Sequence, residues 1–287
     1  MKKTRGLRNL WYSLSSNQRF FIRRLYYLPV DLFDTFKGKT NKYVPPRGLI
    51  YTGSSLNAKN YLKQGVNQLE LLKDEINLLP NDTVLDIGCG IGRTAIALSS
   101  YLNKEGVYEG FDVVKKGIDW CDSRLGKDFS NFNFKYIPLF NDLYNGSNNS
   151  ALDFIFPYDD NTFDKVFTFS VFTHMMLDEI QHYFKQIQRV ITDEGLCFST
   201  FFLYDSEDEN YVATRKDFNF PVKGDDGFRL MNKNVKSGNI AIHKSKLDEM
   251  LKNAGLKKVK LIDGFWKNEV RDQSKREYQD VVVFKRK

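Results

Sequence analysis

Thr83-Val84-Leu85-Asp86-Ile87-Gly88-Cys89-Gly90-Ile91-Gly92-Arg93-Thr94-Ala95-Ile96-Ala97-Leu98 is the stretch whose reading decides the fold of this chain. Val84 to Ile87 is a short apolar run, as in a buried strand. Three alternate glycines follow, so the backbone can turn sharply and come close to a ligand. Arg93 to Leu98 has helix-forming spacing, and the turn opens directly into a helix N-terminus. Its unpaired N–H groups suit a ligand with acceptor atoms. Asp86, at the strand end, suits a ligand carrying an amino group and would repel a pyrophosphate. A dinucleotide fingerprint runs Gly-x-Gly-x-x-Gly. Here the spacing is Gly-x-Gly-x-Gly, with Thr94 and Ala95 following rather than a third spaced glycine.

The alternation continues on both sides. Asn57 to Leu79 reads mainly as helix, with Leu62, Val66, Leu69, Leu72, Ile76 and Leu79 at three- and four-residue spacing, and lies near the ligand pocket. Val107 to Asp112 reads as a second strand ending in an acid, which can accept hydrogen bonds from both ribose hydroxyls of an adenosine. Gly117 to Leu125 is a helix, Asn131 to Leu139 a third strand and Asp164 to Phe169 a fourth. Ile180 to Ile191 is a helix, Leu196 to Phe202 a fifth strand and Ser245 to Ala254 a helix. Val259 to Ile262 and Val281 to Phe284 have no helical pattern between them, which predicts an antiparallel edge pair. The fold expected is α/β: a Rossmann-like seven-stranded, mostly parallel sheet with an antiparallel edge strand and helices on both faces.

Asp86-Ile87-Gly88-Cys89-Gly90-Ile91-Gly92-Arg93, Tyr108-Glu109-Gly110-Phe111-Asp112, Gly117-Ile118-Asp119-Trp120-Cys121 and Ser170-Val171-Phe172-Thr173-His174-Met175 together resemble the class I S-adenosylmethionine-dependent methyltransferases. Within them the phrases look like a bacterial subgroup found among surface-polysaccharide and small-molecule methyltransferases, and Pro45-Pro46-Arg47-Gly48-Leu49 looks like that subgroup too. The resemblance covers roughly residues 80–287. It implies S-adenosylmethionine as cofactor, with contacts from Asp86, Gly88, Cys89, Gly90, Gly92, Arg93, Asp112, Val113, Leu139 and Ser170. Asp86 and the glycines would line the methionine end, and Asp112 would take the ribose. One position departs from the pattern. Pro138 falls where relatives carry an acid for the adenine amino group, which leaves packing, backbone groups, Asn141 or Asp142 to hold it.

Methyl transfer from an activated donor needs the acceptor aligned in line. A hydroxyl acceptor also needs a partner for its proton. His174 follows the fourth strand at the carboxyl edge, where open α/β sheets bind ligands, and is the candidate catalytic residue; a structural histidine capping the next helix is the plain alternative. His182 and His243 read as packing or surface residues. No ligand cluster suggests a metal. Cys89, Cys121 and Cys197 read as reduced core thiols.

The 287 residues carry a net charge of +7, unevenly spread. Residues 1–47 hold eleven Lys or Arg against Asp31 and Asp34, a net +9, so the remaining 32 basic and 34 acidic residues leave the body at −2. That near-neutral body, and the absence of an Asn/Asp-Pro-Pro-aromatic tetrad after the fourth strand, argue against nucleic acid as partner. A small-molecule or glycan acceptor methylated at oxygen is the expectation. The alternative is a non-catalytic donor-binding or complex-associated module docked through its basic N-terminus.

The domain reading is a basic aromatic extension, 1–47, and a methyltransferase domain, 48–287, with 203–240 as an acceptor-side insertion. Residues 1–47 fit a helical face broken at Pro29. Its apolar side is expected to pack on the main domain with its charges solvated; a peripheral contact with an anionic membrane is the other reading. Without an apolar run long enough to span a bilayer or a secretory signal, a cytoplasmic location is the expectation.

Overall fold

The computed structural model describes residues 14–51, 57–141, 145–233, 235, 238–268 and 276–287. Helix α1 (Ser16–Phe36) is followed by α2 (Ala58–Ile76), β1 (Thr83–Ile87), α3 (Arg93–Leu98), β2 (Val107–Asp112), α4 (Lys115–Cys121), β3 (Phe132–Tyr136), β4 (Phe163–Thr168), α5 (Leu177–Val190) and β5 (Ile191–Phe201). After these come β6 (Leu203–Tyr204), α6 (Glu209–Thr214), β7 (Val222–Lys223), β8 (Phe228–Leu230), β9 (Ile240–His243), α7 (Lys244–Asn253), β10 (Leu256–Ile262) and β11 (Asp280–Arg286).

The main sheet has the order β10-β11-β5-β4-β1-β2-β3. Strands β1 to β5 pair in parallel, while β11 runs antiparallel to both β5 and β10. This is the Rossmann-like sheet expected, with the antiparallel pair at its edge. Side chains alternate across it. Leu85 and Ile87 face the layer holding α5 and α7, and Val84 faces the layer holding α2, α3 and α4. Both layers are apolar, as a sheet buried on two faces requires.

Element ends differ from the pattern for local reasons. Helix α2 stops at Ile76 because Asn77 takes a left-handed φ of 49° and caps it. Strand β3 ends at Tyr136, since Pro138 has no N–H to continue a ladder. Helix α1 runs through Pro29 instead of breaking there. Pro29 and Leu25 lie on the exposed side, where water can satisfy the carbonyl that loses its partner.

A second, four-stranded sheet, β6-β9-β8-β7, is built between Leu203 and His243, three residues beyond the expected insertion. Phe202, Tyr204, Val212, Phe220, Ala241 and Trp266 form a small core of their own beneath it. Buried Asp280 ties this unit to the main sheet. Its carboxylate accepts from Leu203 N at 2.8 Å, Gly264 N at 2.8 Å and Trp266 Nε1 at 2.6 Å.

Helix α1 sits with its polar side inward. Asp31 accepts from the backbone N–H groups of Arg47 and Gly48, at 2.9 and 3.2 Å, and Asp34 pairs with the Arg47 side chain. This reverses the expectation of an apolar side packed on the body. Close approach of the backbones explains it, since a Cβ at Gly48 would stand 2.9 Å from Arg24 Cα. Residues 1–13, the first part of the basic extension, lie outside the described residues.

Candidate active site

One cavity of about 750 Å³ opens at the carboxyl ends of β1, β2 and β4, within the size range of small-molecule sites. The glycine turn forms its floor. Gly88, Gly90 and Gly92 all take left-handed φ values, 75°, 62° and 82°, a conformation that disfavours any side chain. Space is closed there as well, because a Cβ at Gly88 would stand 2.4 Å from Val171 Cγ2. Gly88 N and Cys89 N donate to Phe111 O at 2.8 and 3.1 Å, which fastens the turn to β2.

Two buried acids flank the turn. Asp112 accepts from Gly90 N at 2.9 Å and Val114 N at 2.8 Å, and the Tyr51 hydroxyl on the same wall also favours its ionised form. Burial nevertheless pushes its carboxyl up to about 6. Asp86 accepts from the Tyr108 hydroxyl at 2.7 Å, and burial pushes it up to about 7, with Asp112 adding to the rise. A ligand bearing a positive group would favour the ionised forms of both.

Asp86, Gly88, Cys89, Gly90, Arg93, Asp112, Val113, Leu139, Ser170 and His174 all line this cavity. Gly92 does not. It caps α3, and a Cβ there would meet Cys121 Sγ at 2.8 Å, so its glycine serves the packing of α3 on α4. Ser170 is held at a φ of 58°, its N–H donating to Thr200 Oγ1 and its hydroxyl to Gln279 Oε1, both at 2.8 Å. A non-glycine residue in this region is uncommon and marks a constrained position. His174 ends the short 3₁₀ turn Phe172–His174. His182 instead meets Phe154 O at 2.7 Å, and His243 caps α7, bonding Ser245.

Around the position of the expected adenine acid, Pro138 O accepts from Ser147 and Asn149, while Leu139, Phe140 and Asn141 reach the cavity wall. Asp142 lies outside the described residues.

Other wall residues were not singled out in the sequence. Tyr51 comes from the segment before α2, and Gln64, Asn67 and Gln68 present a polar stripe of α2 at three- and four-residue spacing. That stripe was readable beside the apolar one. Glu179 and Tyr183 come from α5, and Phe265 with Arg276 to Gln279 from the β10–β11 connection. Among the described residues of 203–240 none lines the cavity; this unit packs behind the connection, with Phe202 and Phe218 against Tyr278. Tyr108 lies behind the wall. Gly110 gives its ring room, since a Cβ there would stand 2.8 Å from the Tyr108 hydroxyl, so Tyr-x-Gly was its signal.

The sheet order, the glycine turn and the paired strand-end acids around one cavity define a Rossmann-like methyltransferase. The family described as methyltransferase domain matches residues 78–255, and the chain belongs to it. It is an S-adenosylmethionine-dependent methyltransferase. The fold is similar to that of the PH0226 protein of Pyrococcus horikoshii, with a TM-score of 0.54 at 16% identity, over 83% of this chain and 97% of that one. It is also similar to an S-adenosylmethionine-dependent methyltransferase of Clostridium acetobutylicum, with a TM-score of 0.50 at 11% identity, over 91% and 98%.

Among curated proteins, the ribosomal RNA large subunit methyltransferase E of Treponema denticola is 35% identical over 86 residues. The match covers 30% of this chain and 42% of the length of that relative. It overturns the expectation of a small-molecule or glycan acceptor with nucleic acid set aside. Net charge sums over all faces of the body and does not describe the surface around one cavity. The missing tetrad bears only on amino-group targets.

Proposed function

We propose that this chain moves a methyl group from S-adenosylmethionine to a hydroxyl oxygen of an RNA acceptor. The observation that carries the oxygen is His174 on the wall of the cavity that also holds Asp86, Asp112 and the glycine turn. What supports RNA is the ribosomal RNA relative, matched over part of its length. When bound, the donor supplies a methyl group on a sulfonium, already activated for displacement.

The residues present fit such a donor. Two buried carboxylates with raised affinity for protons gain from a ligand with a positive amino group. In this reading Asp86 holds the amino-acid end, which the glycine turn lets come close to the backbone, and Asp112 with Val113 holds the ribose. Leu139 and Phe140 pack on the adenine. His174 accepts the proton of the acceptor hydroxyl as the new bond to oxygen forms. Val171 and Met175 keep water from the reacting centre.

The test is incubation with methyl-labelled donor and either structured RNA or a set of small hydroxylated compounds, followed by nuclease digestion. Label on a ribose oxygen supports the reading. Label on a base, or on small acceptors alone, contradicts it.

A further inference from the structure

Helix α1 carries a surface that the active site does not use. Phe21, Ile22, Leu25, Leu28, Leu32, Phe33 and Phe36 fall within an arc of roughly 140° at 3.6 residues per turn. All seven are exposed, Phe21 and Leu32 at 63%, Leu25 at 54% and Phe36 at 85%. The opposite side holds Asp31 and Asp34, which are spent on the Arg47 and Gly48 backbone and the Arg47 side chain. These are the only acids in residues 1–47. The outward face is therefore apolar and bordered by cations alone. Arg24 is exposed on one margin, and at the C-terminal end Lys37 lies over the Phe33 and Phe36 rings, 5.9 and 5.8 Å from their centroids. Lys39 adds a further cation over Phe33 at 6.0 Å.

We infer that α1 lies in the interface of an anionic lipid surface, apolar side down. Three features of the face choose this occupant. An amphipathic helix in a membrane interface buries one apolar side and gains from basic residues at its margins. Four of its seven side chains are aliphatic, so the stripe lacks the unbroken row of rings on which a single-stranded nucleic acid stacks its bases. A second copy of this face offers the cations at its margin no acid to pair with. The helix lies on the surface and does not cross it: among the described residues no helix is long and apolar enough to span a membrane. The inward hydrogen bonds of Asp31 and the Asp34–Arg47 ion pair fix the orientation, so docking needs no rearrangement of the body. This inference is independent of the acceptor.

The experiment is flotation of the full chain with vesicles of phosphatidylcholine alone and of equal parts phosphatidylcholine and phosphatidylglycerol. A Leu25→Glu/Leu32→Glu double variant runs beside it, and donor binding serves as the test of folding. The expected result is flotation with the anionic vesicles, weakened on the order of tenfold by high salt and lost in the double variant, which still binds donor. No flotation of the wild type, or flotation unchanged in the double variant, overturns the inference. So does a wild-type dimer, or a bound RNA, that the double variant loses while neither protein floats.

Discussion

The two walls of the cavity are built by different means. The wall proposed for the donor is largely backbone: left-handed Gly88 and Gly90, their N–H groups fastened to Phe111 and Asp112, with Gly92 behind them and its N–H on Cys89 O. The wall proposed for the acceptor is side chains brought from far apart: His174 after β4, Glu179 on α5, and Phe265 and Arg276 to Gln279 between β10 and β11. Asp280 anchors that last segment through three hydrogen bonds. A wall made of backbone tolerates little change and serves one ligand. A wall made of side chains on a long connection can be re-cut for a different acceptor while the donor half stays as it is.

The sharpest break of this comparison is Gly88→Val. Its side chain adds a left-handed penalty to a contact of 2.4 Å with Val171. Donor binding falls beyond detection by calorimetry, and stability drops by about 2–4 kcal/mol in urea unfolding. The counterpart on the acceptor side is His174→Ala. It lowers turnover by about a hundredfold and leaves donor affinity unchanged within about a factor of two, a difference well under 1.4 kcal/mol. Equal losses of donor affinity in both variants would erase the distinction between the walls.

Most of the donor wall was legible because its chemistry is local. Alternate glycines between a strand and a helix permit the left-handed turn that other residues disfavour, and acids at two adjacent strand ends fall at its mouth. The acceptor wall was legible only at His174. Phe265 and Arg276 to Gln279 reach the cavity through the pairing of β10 with β11, and no spacing in the sequence announces that contact. The polarity of α1 was misread for a related reason. Periodicity finds an apolar face but does not say whether the body covers it; the inward bonds of Asp31 and Asp34 decide that.

Smaller effects sharpen the picture. The Asp86 and Asp112 carboxyls sit near 7 and 6 in the folded chain, above the ordinary 3.8. Stability from these two groups is fully present below pH 3.8 and is lost as pH rises through 6 to 7. Donor binding opposes this by favouring the ionised forms. Proton release on donor binding should therefore be measurable near pH 6 and vanish above pH 8, from calorimetry in buffers of different ionisation enthalpy. Smallest of all is Tyr51→Phe, which removes a polar group that favours the Asp112 carboxylate and weakens donor binding by about fivefold.

The most direct measurement is calorimetric titration of the folded wild type and Asp112→Ala with S-adenosylmethionine. The account predicts one-to-one binding by the wild type and a loss of at least about tenfold in the variant, because the carboxylate between β2 and the glycine turn is gone. Equal affinity in the two proteins, or no binding by a folded wild type, would contradict it.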